Sequence, residues 1–183
     1  DKIERKISKK TKAIIPVHLY GQSCDMHKII RIAKKHNLRV IEDCAQAHLS
    51  KYHDKFLGNY GDIGTFSFFP AKNLGSIGDA GAIICNKKKI YELVKRYKNH
   101  GSIKKNIHET FGINSRMDNI HAAFLNKKIK YLKKFNFKRN KIAKIYYSKL
   151  KDNENIELPH LRIKSKHTFH QFVIKVKKNR DKL

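Results

Sequence analysis

An α/β domain with a largely parallel sheet covered by helices is what this sequence predicts, and three observations carry the prediction. Short apolar runs alternate along the chain with segments of helical periodicity. Each run has strand length, and each ends in polar or glycine-rich residues instead of continuing as a long helix. The 183 residues, 40% of them hydrophobic, are enough for one domain with a sizeable core.

The elements follow in order. Ala13-Ile14-Ile15-Pro16-Val17-His18-Leu19 reads as a buried strand. Residues 26–36, MHKIIRIAKKH, place Ile29, Ile30, Ile32 and Ala33 on one helical face, with Asp25 ahead of them as N-cap. RVIE, 39–42, is a second strand, and further strands are expected at 62–69 and 81–86. A lysine-rich amphipathic helix follows near 88–98. From 117 to about 150 the pattern is helical again, through Met117, Ile120, Ala123, Phe124, Ile142, Ile145 and Tyr146, with a break expected at Phe135-Asn136-Phe137. HTFHQFVIKV, 167–176, alternates like a strand.

The charge demands a decision. Thirty-four lysines and eight arginines face 15 acidic residues, a formal net charge of +27. Such an excess is the electrostatic footprint of nucleic-acid binding. Yet lysine dominates, whereas base and phosphate recognition favours the guanidinium fork. The lysines also spread over the whole chain, with clusters at 34–35, 87–89 and 127–134 that read as solvated helix faces. The basic excess therefore reads as surface and residue bias, with a nucleic-acid-binding module as the lesser alternative. No run of eighteen apolar residues is present. DKIERKISKK lacks the apolar stretch of a signal peptide, and a start without Met is what a piece of a longer protein would show. Cys24, Cys44 and Cys85 form no CxxC pair and no metal spacing, which fits a reducing cytoplasm.

In open α/β sheets, ligands bind at the carboxyl ends of the strands. Two polar groups fall at such ends: Asp43 after RVIE, and Lys72 after TFSFF and a Pro-Ala turn. A buried ion pair is one account of them. The sharper account is chemical. A lysine delivered into an apolar setting sheds its proton more readily and can form a Schiff base. An aspartate facing a pyridine nitrogen keeps that ring an electron acceptor. Pyridoxal phosphate chemistry needs both groups.

The blocks AIIPVHLYGQSCDM, VIEDCAQAH, GDIGTFSFFPAKNLGSIGDAGAII, YKNHG and GINSRMDNIHAA resemble, in order and spacing, the DegT/DnrJ/EryC1/StrS family of nucleotide-sugar aminotransferases that use pyridoxal phosphate. The resemblance implies a fold-type-I large domain with a mostly parallel sheet, truncated at both ends. Residues 1–150 would belong to that domain and 151–183 to the start of a C-terminal small domain. It implies that Lys72 is the catalytic, Schiff-base lysine, that Asp43 holds the pyridine nitrogen and that Gln46 lies near the phenolic oxygen. By the same resemblance Ser67 donates to the phosphate, and Asn114 reaches the phosphate of the neighbouring subunit, hence a homodimer with shared sites. The implied enzyme is cytoplasmic and moves an amino group, from glutamate, to a keto sugar linked to a nucleotide, for aminosugar or surface-polysaccharide synthesis. This fragment alone is expected to be weak or inactive.

Alternatives within the family are a sugar dehydratase branch, which has histidine in place of Lys72, and an inactive or regulatory relative. Three residues depart from the family pattern: Cys44 for alanine, Leu49 for glycine and Ala80 for glycine. His18 and His48 are expected to be structural hydrogen-bonders or site residues, and Arg116 a phosphate ligand or a subunit anchor. Gly61, Gly64, Gly75, Gly78 and Gly81 are expected at turns and close approaches. No spacing of His, Cys, Asp or Glu points to a metal.

Overall fold

The computed structural model describes residues 2–178 and 180–182. Its elements are β1 (Ala13–Ile14), α1 (Met26–Lys35), β2 (Arg39–Asp43), β3 (Lys51–Tyr52), β4 (Lys55–Phe56), β5 (Ile63–Ser67), β6 (Gly81–Ile84), α2 (Lys88–Tyr97), β7 (Ser102–Lys104), β8 (Ile107–His108), α3 (Asn119–Lys128), α4 (Leu132–Leu150), β9 (Ile156–Glu157), β10 (Ser165–Lys166) and β11 (Lys175–Val176). The main sheet has four strands in the order β1-β2-β5-β6. β1 and β2 run parallel, as do β2 and β5, while β6 returns antiparallel to β5.

The helix over 26–35 forms as its sequence predicts. Asp25 accepts a hydrogen bond from the Lys28 amide at 3.3 Å, and Met26, Ile29 and Ala33 turn inward. They pack on Val40, Cys44, Ala47, Tyr52 and Leu57 in the larger of two apolar clusters. The second cluster joins Leu74, Leu125 and Leu132, with Leu49, Phe68 and Met117 against it.

Several expectations change in detail. The run 13–19 is paired as a strand only at 13–14, because Pro16 has no N–H to give. The chain still follows β2, since the Pro16 carbonyl accepts from Asp43 N and His18 N donates to Asp43 O. The break expected at 135–137 lies instead at 129–131, a single tight turn, and Asn136 stays inside α4 with its side chain fully engaged. Of 167–176 only Lys175–Val176 is paired, with Ile156–Glu157. Residues 167–170 are held elsewhere: Thr168 N donates to Gly21 O, His170 N donates to Tyr20 O, and Phe169 has φ +43°. The pairings β3–β4 and β7–β8, and β10 alongside β3, have no counterpart in the sequence pattern, because strands of two or three residues carry too little alternation to register.

Close approaches account for the glycines. A Cβ on Gly64 would stand 2.6 Å from the Gly58 backbone, and one on Gly75 would collide with the Pro70 carbonyl. Leu49, one of the non-glycine residues in the left-handed region, sits at φ +62°. That conformation costs an L-residue about 1–2 kcal/mol, and its packing on the second cluster offsets part of the cost.

The fully buried Glu42 holds the sheet and its flanking loop together. Its Oε2 accepts from the Gly58 amide (2.8 Å) and His18 Nε2 (3.0 Å); its Oε1 accepts from the amides of Tyr60 (2.6 Å) and Gly61 (2.7 Å). Cys24 N–H donates to His18 Nδ1 at 3.1 Å, so the neutral His18 carries its proton on Nε2 and gives it to Glu42. Burial pushes the Glu42 carboxyl up, but the bonds from His18, Gly61 and Gly58 outweigh it and leave the group below its ordinary range.

Glu42→Gln presents an NH₂ to amides that themselves donate, and should cost about 3 kcal/mol in urea unfolding. Because the folded carboxyl titrates below the unfolded one, this contribution is present above the unfolded value near 4.5 and is lost as pH falls through the folded value. The gap between wild type and variant should therefore close in acid; a gap that is constant with pH would contradict this account.

Candidate active site

β2 and β5 run side by side with Asp43 in register with Thr65, so Ser67 lies one pleat beyond, on the same face. The chain then turns through Phe69-Pro70-Ala71 to Lys72, whose amide closes the turn on the Phe69 carbonyl at 2.9 Å. Asp43, Gln46, Ser67 and Lys72 are all half-buried. The structure thus brings the carboxylate, hydroxyl and lysine to the carboxyl ends of two adjacent parallel strands.

Each has a defined free valence. Asp43 Oδ1 accepts from Ala45 N (2.9 Å), which orients the carboxylate and leaves Oδ2 without a protein donor among the described residues. Gln46 Oε1 accepts from Tyr20 N (2.7 Å), so its NH₂ is the end left to donate. Ser67 Oγ accepts from Phe69 N at 3.3 Å, which leaves its O–H to give. Lys72 Nζ has no hydrogen bond or ion pair among the described residues.

Asn114 is not part of this group. It is exposed and bridges to Asn99, and its Oδ1 accepts from Arg116 Nε at 3.1 Å. No contact among the described residues joins it to Lys72. His18 belongs to the Glu42 network in the core. His18, Glu42 and Cys44 do place possible metal-ligand atoms within 4.8 Å of one another, a grouping that spacing alone did not reveal. Both nitrogens of His18 and both oxygens of Glu42 are already hydrogen-bonded. Burial, with Glu42 and Asp43 nearby, pushes the Cys44 thiol far up. These are the marks of a closed core contact.

The entire chain, residues 1–183, matches the model of the DegT/DnrJ/EryC1/StrS aminotransferase family. The chain belongs to that family. Among curated relatives, the dTDP-3-amino-3,6-dideoxy-alpha-D-galactopyranose transaminase of Aneurinibacillus thermoaerophilus is 49% identical over 176 residues, 96% of this chain and 48% of that protein. Among solved structures, DesV of S. venezuelae in complex with a ketimine intermediate superposes with a TM-score of 0.95 at 36% identity, covering 98% of this chain and 48% of that one. NtdA from Bacillus subtilis with bound cofactor PMP gives a TM-score of 0.85 at 41% identity, covering 95% of this chain and 40% of that one. The chain spans about half the length of these family members. The cleft of about 600 Å³ between α4 and the β3–β4 hairpin does not include the strand-end group.

In this family member, three polar residues that motif reading passed over surround the lysine turn: Asn73, Asn136 and His170. Asn73 follows Lys72 directly and is buried, as is Asn136 in α4. The one signal in the sequence was an asparagine on a helix face that is otherwise apolar or basic.

His48 is 3% exposed, and neither ring nitrogen has a hydrogen-bond partner among the described residues. Its ring lies against Phe66 and Phe68, at 5.7 and 5.8 Å between centroids. Burial, with His170 and Lys72 nearby, brings its pKa down to about 4; the Ser67 carbonyl opposes this without reaching hydrogen-bond geometry. His48 is thus neutral at physiological pH, and an orphaned buried polar ring beside the lysine turn costs stability unless something pairs with it.

Since the folded pKa lies below the unfolded one, the protein is favoured above the unfolded value of 6.5 and loses this contribution as pH falls towards about 4. His48→Phe should remove up to about 3 kcal/mol of that acid-induced loss. Parallel unfolding curves of wild type and variant between pH 7 and pH 4 would refute the assignment.

Proposed function

We propose that this chain is the cofactor-holding part of an aminotransferase that moves an amino group, from glutamate, to a keto carbon of a nucleotide-linked sugar, and that its cofactor is pyridoxal 5′-phosphate. One observation carries the reading: Asp43 and Ser67 lie on one face at the ends of β2 and β5, the turn that leaves β5 carries Lys72, and the Gln46 amide lies just beyond β2. NtdA with bound PMP and the sugar transaminase that is 49% identical support it by likeness.

The residues fit the group by donor and acceptor type. The bound cofactor supplies an aldehyde carbon and an electron-accepting pyridine ring. Asp43 offers a bare carboxylate oxygen to a protonated ring nitrogen. Gln46 offers an N–H to a phenolic oxygen, its own carbonyl being occupied by Tyr20. Ser67 offers an O–H to a phosphate oxygen. Lys72 would hold the cofactor at that aldehyde carbon and, once an amino donor had freed it, its Nζ would take the proton from the substrate carbon and give it to the former aldehyde carbon. Lys72 itself speaks against the dehydratase branch.

Asn114, exposed and with no contact to Lys72 among the described residues, is assigned to the phosphate of a second subunit, and Arg116 beside it to the same contact. The enzyme is then a homodimer with shared sites. Residues 151–183 are assigned to the start of a second domain, although 167–170 remain bound to Tyr20 and Gly21. The cysteines are unpaired, and no helix among the described residues is long and apolar enough to cross a membrane; the proposed location is the cytoplasm.

In the whole enzyme, borohydride reduction followed by peptide mapping should place the pyridoxyl group on Lys72. Lys72→Ala should lower amino transfer by at least about a hundredfold. A label on any other lysine would overturn the site. Asn114→Ala mixed with Lys72→Ala should regain activity, since a hybrid dimer holds one intact site; mixed dimers without recovery would place both residues in one subunit's site.

A further inference from the structure

The turn that carries Lys72 is joined to two distant segments through the side chain of the next residue. Asn73 Nδ2 donates to Asn136 Oδ1 in α4 (2.9 Å) and to the Thr168 carbonyl (3.2 Å). The orientation of this amide is settled, because a backbone carbonyl can only accept. Asn73 Oδ1 therefore faces His170 Nδ1, at 3.0 Å. Asn136 is settled in the same way, since its Nδ2 donates to the His48 carbonyl at 2.9 Å. An oxygen at Asn73 Oδ1 requires a proton on His170 Nδ1. A neutral His170 then has a bare Nε2. Burial, with the charges of Lys72 and Arg139, pushes the His170 pKa down, so the neutral ring is the form present at physiological pH.

The position of His170 is itself fixed. Its amide donates to the Tyr20 carbonyl at 2.9 Å, while Tyr20 N donates to Gln46 Oε1. Arg139 Nη1 donates to the carbonyls of Phe169 (3.3 Å) and His170 (3.2 Å). His170 is thus held through its ring by the lysine turn, and through its backbone by α4 and by Tyr20, which is itself bonded to Gln46.

We propose that Asn73 is a positioning residue for the lysine site: its carboxamide locks His170, whose ring is bonded to the turn that carries Lys72, in the tautomer protonated on Nδ1 and so leaves Nε2 as a hydrogen-bond acceptor. The proposal rests on the reading of Lys72 given above. Its chemical content is that an acceptor beside the lysine can take a hydrogen bond from the amine or from a substrate hydroxyl, whereas the other tautomer would present an N–H there. Asn73 touches neither substrate nor cofactor in this account and acts through His170.

The test uses the whole enzyme with ¹⁵N-labelled histidine. Near neutral pH, the imidazole ¹⁵N spectrum should show His170 protonated on Nδ1 and bare on Nε2, a result that needs no variant to fold. Asn73→Ala should move the His170 signals towards mixed tautomers. It should also lower kcat by about tenfold or more, with KM for the amino donor changed by less than about twofold. Asn73→Asp, which keeps an oxygen facing Nδ1 but adds a charge that favours the doubly protonated ring, should keep the Nδ1 proton and raise the His170 pKa. In a His170→Gln background, Asn73→Ala should cost less than about twofold further in kcat. Wild-type His170 protonated on Nε2, or an Asn73→Ala cost undiminished in that background, would overturn the positioning role while leaving Lys72 in place. Borohydride labelling of another lysine, with the tautomer as stated, would overturn the site reading and the positioning role with it.

Discussion

The structure depends first on one buried carboxylate. Glu42, fully buried, accepts four hydrogen bonds, three from backbone amides between Gly58 and Gly61 and one from His18. A charge that deep is tolerable only when its lone pairs are filled, and an empty one would cost several kcal/mol. The loop between β4 and β5 therefore has one place to sit. Because side chains alternate across a strand, fixing Glu42 inward fixes Asp43 on the opposite face at the end of β2. Two consecutive carboxylates thus have opposite fates: the first is spent on the fold and the second is left for chemistry.

A second constraint acts at the other end of the chain. Residues 167–170 are bound to Tyr20 and Gly21 through their backbones, and Thr168 Oγ1 meets Ser50 Oγ at 2.8 Å. Asn136 and Asn140 reach from α4 to the His48 and His167 carbonyls. A buried polar network of this kind is stable only when complete, which explains why asparagines stand on a helix face where apolar residues would otherwise pack. The lysine turn, α4 and the terminal segment are consequently one unit around Lys72.

The excess of lysine has little part in either constraint. The ion pairs formed by Lys28, Lys35, Lys87 and Lys175 all have lysine side chains more than half exposed, where such pairs contribute little. Lys51 and Lys141 instead lay their ammonium groups over Phe56 and Phe137, at 4.6 and 4.8 Å. Surface lysine here solvates the protein and shields exposed rings.

The sequence by itself determined what is local. Helical periodicity and Asp25 placed α1, apolar runs placed β2, β5 and β6, and the position of Asp43 and Lys72 after two of those runs pointed to strand-end chemistry. The ordered blocks identified the family. These features are legible because burial alternation and capping are written within a few residues of where they act. Tertiary structure decided the rest. The direction of β6, the place of the break before α4 and the fate of 167–176 depend on which backbone groups find partners, and periodicity does not name partners. Glu42 looked like one more strand residue until four donors closed around it. Asn73 meets His170 across 97 residues of chain, a contact that only the packed fold can make.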